Sequence, residues 1–263
     1  MKKILVLFVF VSFCFAKGFI VLNPSCVEIF YMLNAGDKIS AIATTASSDI
    51  WPKEDVAKLP SVGNYVKPNL EKIIELEPEH VITSFHSTEI IDDLKRFNIK
   101  YTEIEAKRLD DIYENIRTIS ELIDKKSDGE KLINELKQKL ERLNFEKTKG
   151  KKAIFFYTGA NLISFGKDSM VDDIFNLMKI KNLARNLEGK TPIVSGEFLV
   201  EQNPDYILFV GKNVDNLIKQ NPLLKHTTAY KNNKIIPVNS ASLLRGTPRI
   251  VFEIENLYKQ LIK

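Results

Sequence analysis

The chain has 263 residues, 44% hydrophobic and 27% charged, the balance of a folded globular protein rather than a disordered one. The formal charge of +4 is small and the Lys and Arg residues are dispersed, which argues against nucleic acid or another polyanion as partner.

Lys2 and Lys3 precede an apolar run, Ile4 to Phe15, closed by the small Ala16. This is the pattern of a secretory signal peptide cleaved after Ala16, and the run is short for a transmembrane span. Lipid anchoring through Cys14 would put the bulky Phe13 before the modified cysteine, where that processing needs a small residue. Loss of residues 1–16 removes two lysines and no acid, so the charge falls to +2 and Cys26 is the one cysteine left. An internal disulfide is then excluded, and the mature protein is expected to be soluble and outside the cytoplasm.

Gly18 to Asn23 reads as a short buried strand, followed by a helix opened by Pro24 and carrying Val27, Ile29, Phe30 and Leu33 up to Gly36. Ile39 to Ala43 is a second strand. Thr44 to Asn64 is polar, holds two prolines and reads as a long loop, the kind of segment that often carries function. Helix Asn69–Glu77, strand His80–Ser84, helix Glu89–Phe97, strand Lys100–Ile104 and an amphipathic helix Asp110–Asp124 follow. Ser127 to Phe145 reads as one long helix, with Ser127 and Glu130 as a capping box. Its apolar stripe is Leu132, Ile133, Leu136, Leu140 and Leu143. At ~1.5 Å per residue it spans about 27 Å. After the basic link Lys147–Lys152 the pattern restarts: strands Ala153–Tyr157 and Leu162–Phe165, a helix with Met170, Ile174, Leu177 and Met178, helix Glu197–Gln202, strands Tyr206–Val210 and Ile235–Val238, and a final helix from Pro248 to Leu261. Strands alternating with helices on both sides of the long helix predict an α/β fold of two mostly parallel sheets. The expected organisation is a first lobe at 17–126, a linking backbone helix at 127–147 and a second lobe at 148–263.

The halves echo each other. Lys67–Ser84 (KPNLEKIIELEPEHVITS) and Ile193–Gly211 (IVSGEFLVEQNPDYILFVG) each place a Glu, an apolar helical turn, a Pro seven residues after the Glu, an acid and a β-rich run in that order, as two lobes related by a pseudo-two-fold would. Together with LNPSCVEIFYMLNAGDKISAI, LPSVGNYVKPNLEKIIELEPEHVI, GKDSMVDDIFNLM and RGTPRIVFEIENL, taken in order, these segments resemble the class III periplasmic substrate-binding proteins of ABC importers, the group that binds vitamin B12, ferric siderophores and haem. The resemblance covers essentially the whole mature chain. It implies two lobes rigidly bridged by one helix, no intrinsic cofactor, a periplasmic location and action as a monomer. It also implies that Glu71 and Glu197, one per lobe, dock onto arginines of the membrane permease; two separated carboxylates fix orientation by charge complementarity.

The cleft is expected between the strand ends of the two lobes. Its candidates are Cys26, Trp51, Asn64, Tyr65, Phe85 and His86 from the first lobe and Tyr157 and Arg245 from the second. Trp51, the only Trp, sits in the polar loop, where its ring can stack on a planar or macrocyclic ligand. Tyr65, six residues before Glu71, stands where the B12-binding relatives carry a stacking Trp. Haem-binding relatives place a ligating Tyr directly after Val–Gly, a position held here by Asn64; Tyr65 and His86 are the metal-ligand candidates only if the cargo is haem. Arg245 can pair with a ligand carboxylate or catecholate oxygen. Of the three histidines, His80 and His226 read as structural or solvated. A bare zinc or manganese site would need more convergent ligands than these. No GxSxG, GxxxxGK, HExxH or CxxC motif supports an enzyme. The expected function is capture of an iron chelate, haem or a ferric siderophore, and its delivery to an ABC permease. Cobalamin is the second cargo; a two-lobed α/β enzyme using the same cleft and a permease-free sensor are the alternatives of other classes.

Overall fold

The computed structural model describes residues 17–46, 48–157, 160–239 and 243–263; the expected signal peptide lies outside them. The architecture is α/β with two parallel sheets, one per lobe. The first contains β1 (Phe19–Val21), β2 (Ile39–Thr44), β3 (Ser61–Asn64), β4 (His80–Thr83) and β5 (Tyr101–Glu103), in the order β3-β2-β1-β4-β5. The second contains β6 (Lys152–Phe156), β7 (Lys181–Asn182), β8 (Tyr206–Val210) and β9 (Ile235–Val238), in the order β7-β6-β8-β9. Every pair of these named strands among the described residues is parallel.

Strand alternation divides the core into layers. Phe19, Val21, Ile42 and Ile82 of the first sheet join Ala153, Phe155, Leu208 and Ile236 of the second in one central apolar cluster. Their neighbours Ile20, Leu22, Ala41 and Val81 face an outer cluster of the first lobe, and Ile154, Phe156, Ile207 and Ile235 face an outer cluster of the second. Successive strand side chains point to opposite faces, so strands buried on both faces read as continuous apolar runs. The central cluster is filled by helices α1 (Pro24–Met32), α5 (Leu109–Leu122), α6 (Lys126–Glu141), α7 (Met170–Leu177) and the C-terminal helix (Ile250–Leu261).

The long helix differs from expectation at both ends. It runs from Lys126 to Glu141, 16 residues, about 24 Å. The Ser127–Glu130 capping box does not form: the N-cap is Lys125, with no side-chain cap, and Glu130 instead binds Arg117 of α5 at 2.7 Å. Asp124 at φ +59° folds α6 back against α5, so the two form a hairpin. A Cβ on Gly129 would lie 2.3 Å from Ser120 Oγ; only glycine permits this approach. The predicted apolar stripe holds, with Ile133, Leu136 and Leu140 buried.

Other differences are local. The long loop contains a short helix, α2 (Lys53–Val56), and the edge strand β3; a four-residue strand beginning Ser-Val-Gly has too little pattern to announce itself. Leu162–Phe165 forms only an isolated bridge between Ile163 and Ile193. The helix placed at Glu89 begins as a 3-10 turn, Phe85–Ile90, that leads into α4 (Ile91–Arg96). Pro248 and Arg249 lie in the turn before the final helix.

Candidate functional site

In an open parallel sheet, ligands bind beyond the carboxyl ends of the strands, where the strand order reverses. The first sheet reverses between β1 and β4 and the second between β6 and β8. The segments leaving β4 and β6 carry Phe85, His86 and Tyr157, while Trp51 and Tyr65 follow β2 and β3 of the first sheet.

Beyond β4, Ser84 and Ser87 form a reciprocal capping box, both side chains buried, which turns Phe85 and His86 outward. Their rings lie 3.7 Å apart at 38°. Tyr65, beyond β3, meets His86 edge-on with ring centroids 5.2 Å apart. Asn64 Oδ1 accepts from the backbone N–H groups of Val66 and Lys67, an Asx turn that sets the direction of Tyr65. Tyr65, Phe85 and His86 therefore form a continuous wall. Burial holds the His86 imidazole below its ordinary value against the opposing attraction of Glu105, so the ring is neutral at neutral pH.

On the second lobe Tyr157 follows β6, is half exposed and packs edge-on against Phe165, 6.1 Å away. Its N–H bonds Ile163 O, and the bridge from Ile163 brings in Ile193, 73% exposed. Phe165 and Ile193 escaped the sequence reading. Nothing in KTPIVS marks Ile193 apart from an ordinary loop aliphatic.

Arg245 is nearly buried, its side chain 12% exposed. It lies 3.4 Å from Glu28 Oε1 of α1, donates to Asp49 O at 2.9 Å and to Ser48 Oγ at 2.5 Å. Its guanidinium is thus spent on first-lobe groups. Glu28 was also missed; an acid inside an apolar helical turn is its only sequence signal. Burial pushes its carboxyl above the ordinary value, with Arg245 and Arg249 pulling the other way. Trp51, 36% exposed, lies under the Arg249 guanidinium at 5.4 Å.

Glu71 and Glu197 are exposed, each in the first turn of a helix: α3 (Leu70–Glu75), capped by Asn69, and α8 (Gly196–Gln202), capped by Ser195. The backbone N–H at its helix start and the Ser195 hydroxyl hold the Glu197 carboxyl below its ordinary value. Cys26 is fully buried and burial pushes its thiol up to about 12, which makes it a core residue rather than a ligand. His80 bonds Thr102 Oγ1 at 2.8 Å and His226 is exposed at the end of a short turn. Among the described residues, no group of three or more His, Cys, Asp or Glu is placed to hold a metal ion, and no helix is long and apolar enough to cross a membrane.

The sequence profile described as "Periplasmic binding protein" matches residues 20–241. The chain belongs to the periplasmic binding protein family. Membership makes it a substrate-binding protein of ABC importers rather than an enzyme. The chain is 29% identical over 235 residues to a vitamin B12-binding protein of Vibrio parahaemolyticus, covering 87% of this chain and 83% of the relative. It is 26% identical over 257 residues to the uncharacterised ABC transporter substrate-binding lipoprotein YvrC of Bacillus subtilis, covering 93% and 80%. The solved structure of the periplasmic haem-binding protein HutB of Vibrio cholerae shares the fold with a TM-score of 0.82 at 22% identity, over 94% of this chain and 99% of that one.

Proposed function

We propose that this family member is an exported protein, released by cleavage after Ala16, that captures a corrinoid of the cobalamin class between its lobes and delivers it to an ABC permease. What supports the reading is two groups of aromatic rings beyond strand ends: Tyr65, Phe85 and His86 after β3 and β4 on one lobe and Tyr157 with Phe165 after β6 on the other. Such walls suit a large ring system with apolar faces and an amide-rich rim. Arg245, expected to pair with a ligand carboxylate or catecholate oxygen, bonds Glu28, Ser48 and Asp49 instead, which supports cobalamin over the iron chelates. Haem remains the second reading because Tyr65 and His86 present a phenol and an imidazole side by side. The frame for capture is a lobe at 17–126 and a lobe at 148–263 joined through 127–147, and docking runs through Glu71 and Glu197.

The test is titration of the mature protein with cyanocobalamin and, in parallel, haemin, read by absorption and by Trp51 fluorescence. Saturable one-to-one binding of cyanocobalamin that is weakened in Tyr65→Ala supports the reading. A saturable Soret shift with haemin, lost in Tyr65→Ala or His86→Ala, replaces cobalamin by haem. Silence in both arms overturns it.

A further inference from the structure

The segment Arg245–Arg249 follows the carboxyl end of the second sheet, yet most of its partners belong to the first lobe. Arg245 reaches Glu28 on α1 and both Ser48 and Asp49 in the loop after β2. Gly246, at φ +69°, presses against the connection after β5: a Cβ there would sit 2.5 Å from Ala106 Cβ, so only glycine allows the approach. Thr247 is buried. Arg249 then covers the face of Trp51 at 5.4 Å, a cation–π contact. Two guanidiniums four residues apart thus grip one loop at Ser48, Asp49 and Trp51. The anchor is Glu28, 2% exposed, whose Oε2 has no hydrogen-bond partner among the described residues. Arg245 is its ion-pair partner, with Arg249 and Thr247 also favouring the charged carboxyl, and an unpaired buried charge is costly.

We infer that Arg245 and Arg249 are positioning residues that act from the second lobe to hold the Trp51 loop in place as part of the cleft wall, with buried Glu28 as their anchor. Arg245 acts through Ser48, Asp49 and Trp51. The inference extends the binding-protein reading but does not depend on which cargo is bound.

The single Trp makes the test direct and free of cargo. In Arg245→Ala and in Arg249→Ala, acrylamide quenching of Trp51 is expected to rise at least two-fold. Hydrogen exchange should quicken across 45–58 while β4 and β8 keep their protection. Ser48→Ala, which removes one acceptor at a partly buried surface position, gives a smaller change in the same direction and serves if Arg245→Ala does not fold. Arg249→Lys, which keeps a cation over the ring, restores low quenching. A role in general stability alone would lower the unfolding midpoint and leave native-state quenching unchanged; that result in either arginine variant overturns the inference. With cyanocobalamin as probe, Arg245→Ala and Trp51→Leu should each weaken binding and the double variant should be no weaker than Trp51→Leu. Additive losses overturn the route through Trp51, whereas failure of cyanocobalamin to bind the native protein refutes the cargo and leaves the quenching result standing.

Discussion

Removing Arg245 isolates a buried charge, and the consequence can be worked out from the surroundings of Glu28. The carboxylate is 2% exposed and has a cation 3.4 Å from Oε1. In Arg245→Ala it either stays charged without its main partner or takes a proton. Protonating a carboxyl of ordinary value 4.5 at pH 7 costs about 3 kcal/mol, which caps the charge penalty. Loss of the bonds to Ser48 and Asp49 adds about 1–3 kcal/mol. Arg249 still attracts the carboxylate, so the expected destabilisation is about 4 kcal/mol, within the usual range for breaking a buried pair. The sign with pH follows from linkage. A carboxyl whose folded value lies above its unfolded value favours folding fully below the unfolded value, and that contribution is lost as the pH rises. The deficit of Arg245→Ala should therefore shrink from pH 7 to pH 5, by at most about 1.4 kcal/mol per pH unit, since the wild-type carboxyl is itself raised. Urea unfolding followed by far-ultraviolet circular dichroism at both pH values measures it, and adding Glu28→Gln to the variant should abolish the pH dependence. A deficit below about 1 kcal/mol at pH 7, or one equal at the two pH values, refutes the reasoning.

Glu71→Ala combined with Glu197→Ala should abolish transport in a reconstituted permease assay while leaving cargo affinity within about two-fold, since both carboxylates are exposed and outside the aromatic walls. Tyr65→Ala should weaken cyanocobalamin binding at least about ten-fold, a loss of ~1.4 kcal/mol, and Tyr65→Trp should retain it; isothermal titration measures both. His80 is held below its ordinary 6.5 by burial, with Lys100 adding to the effect. Its contribution to stability is full above pH 6.5 and lost as the pH falls through the lowered value, so His80→Gln should flatten the acid limb of a stability profile below pH 6.5. Cys26, fully buried with its thiol pushed up to about 12, should resist a thiol-specific reagent in the native protein and react once in urea.

The parallel sheets and the helical stripes were legible because they rest on periodicity: Ile133, Leu136 and Leu140 recur at helical spacing, and FIV or YILFV cannot be exposed. Phe85, His86 and Tyr157 were legible as residues at or just past a strand end, whereas Tyr65 was singled out by the resemblance, because β3 before it went unread. What escaped was decided by long-range contact. Glu130 matches a capping box in sequence, but Arg117 in the neighbouring helix claims it. Arg245 reads as a free cation until the chain folds and brings Glu28 beside it from 217 residues away. Ile193 carries no local pattern at all, and its place beside Tyr157 comes from a single bridge to Ile163, which binds the Tyr157 N–H.

The shared central cluster has a consequence for modularity. Alternate side chains of both sheets enter the same apolar mass, so neither half of the chain owns a complete interior despite the internal echo. Expressed separately, each half would present that face to water and aggregate or remain partly folded. Calorimetry of the whole protein should show one transition rather than two. A gene duplication can account for the echo, but the product can no longer be cut back into its two ancestors.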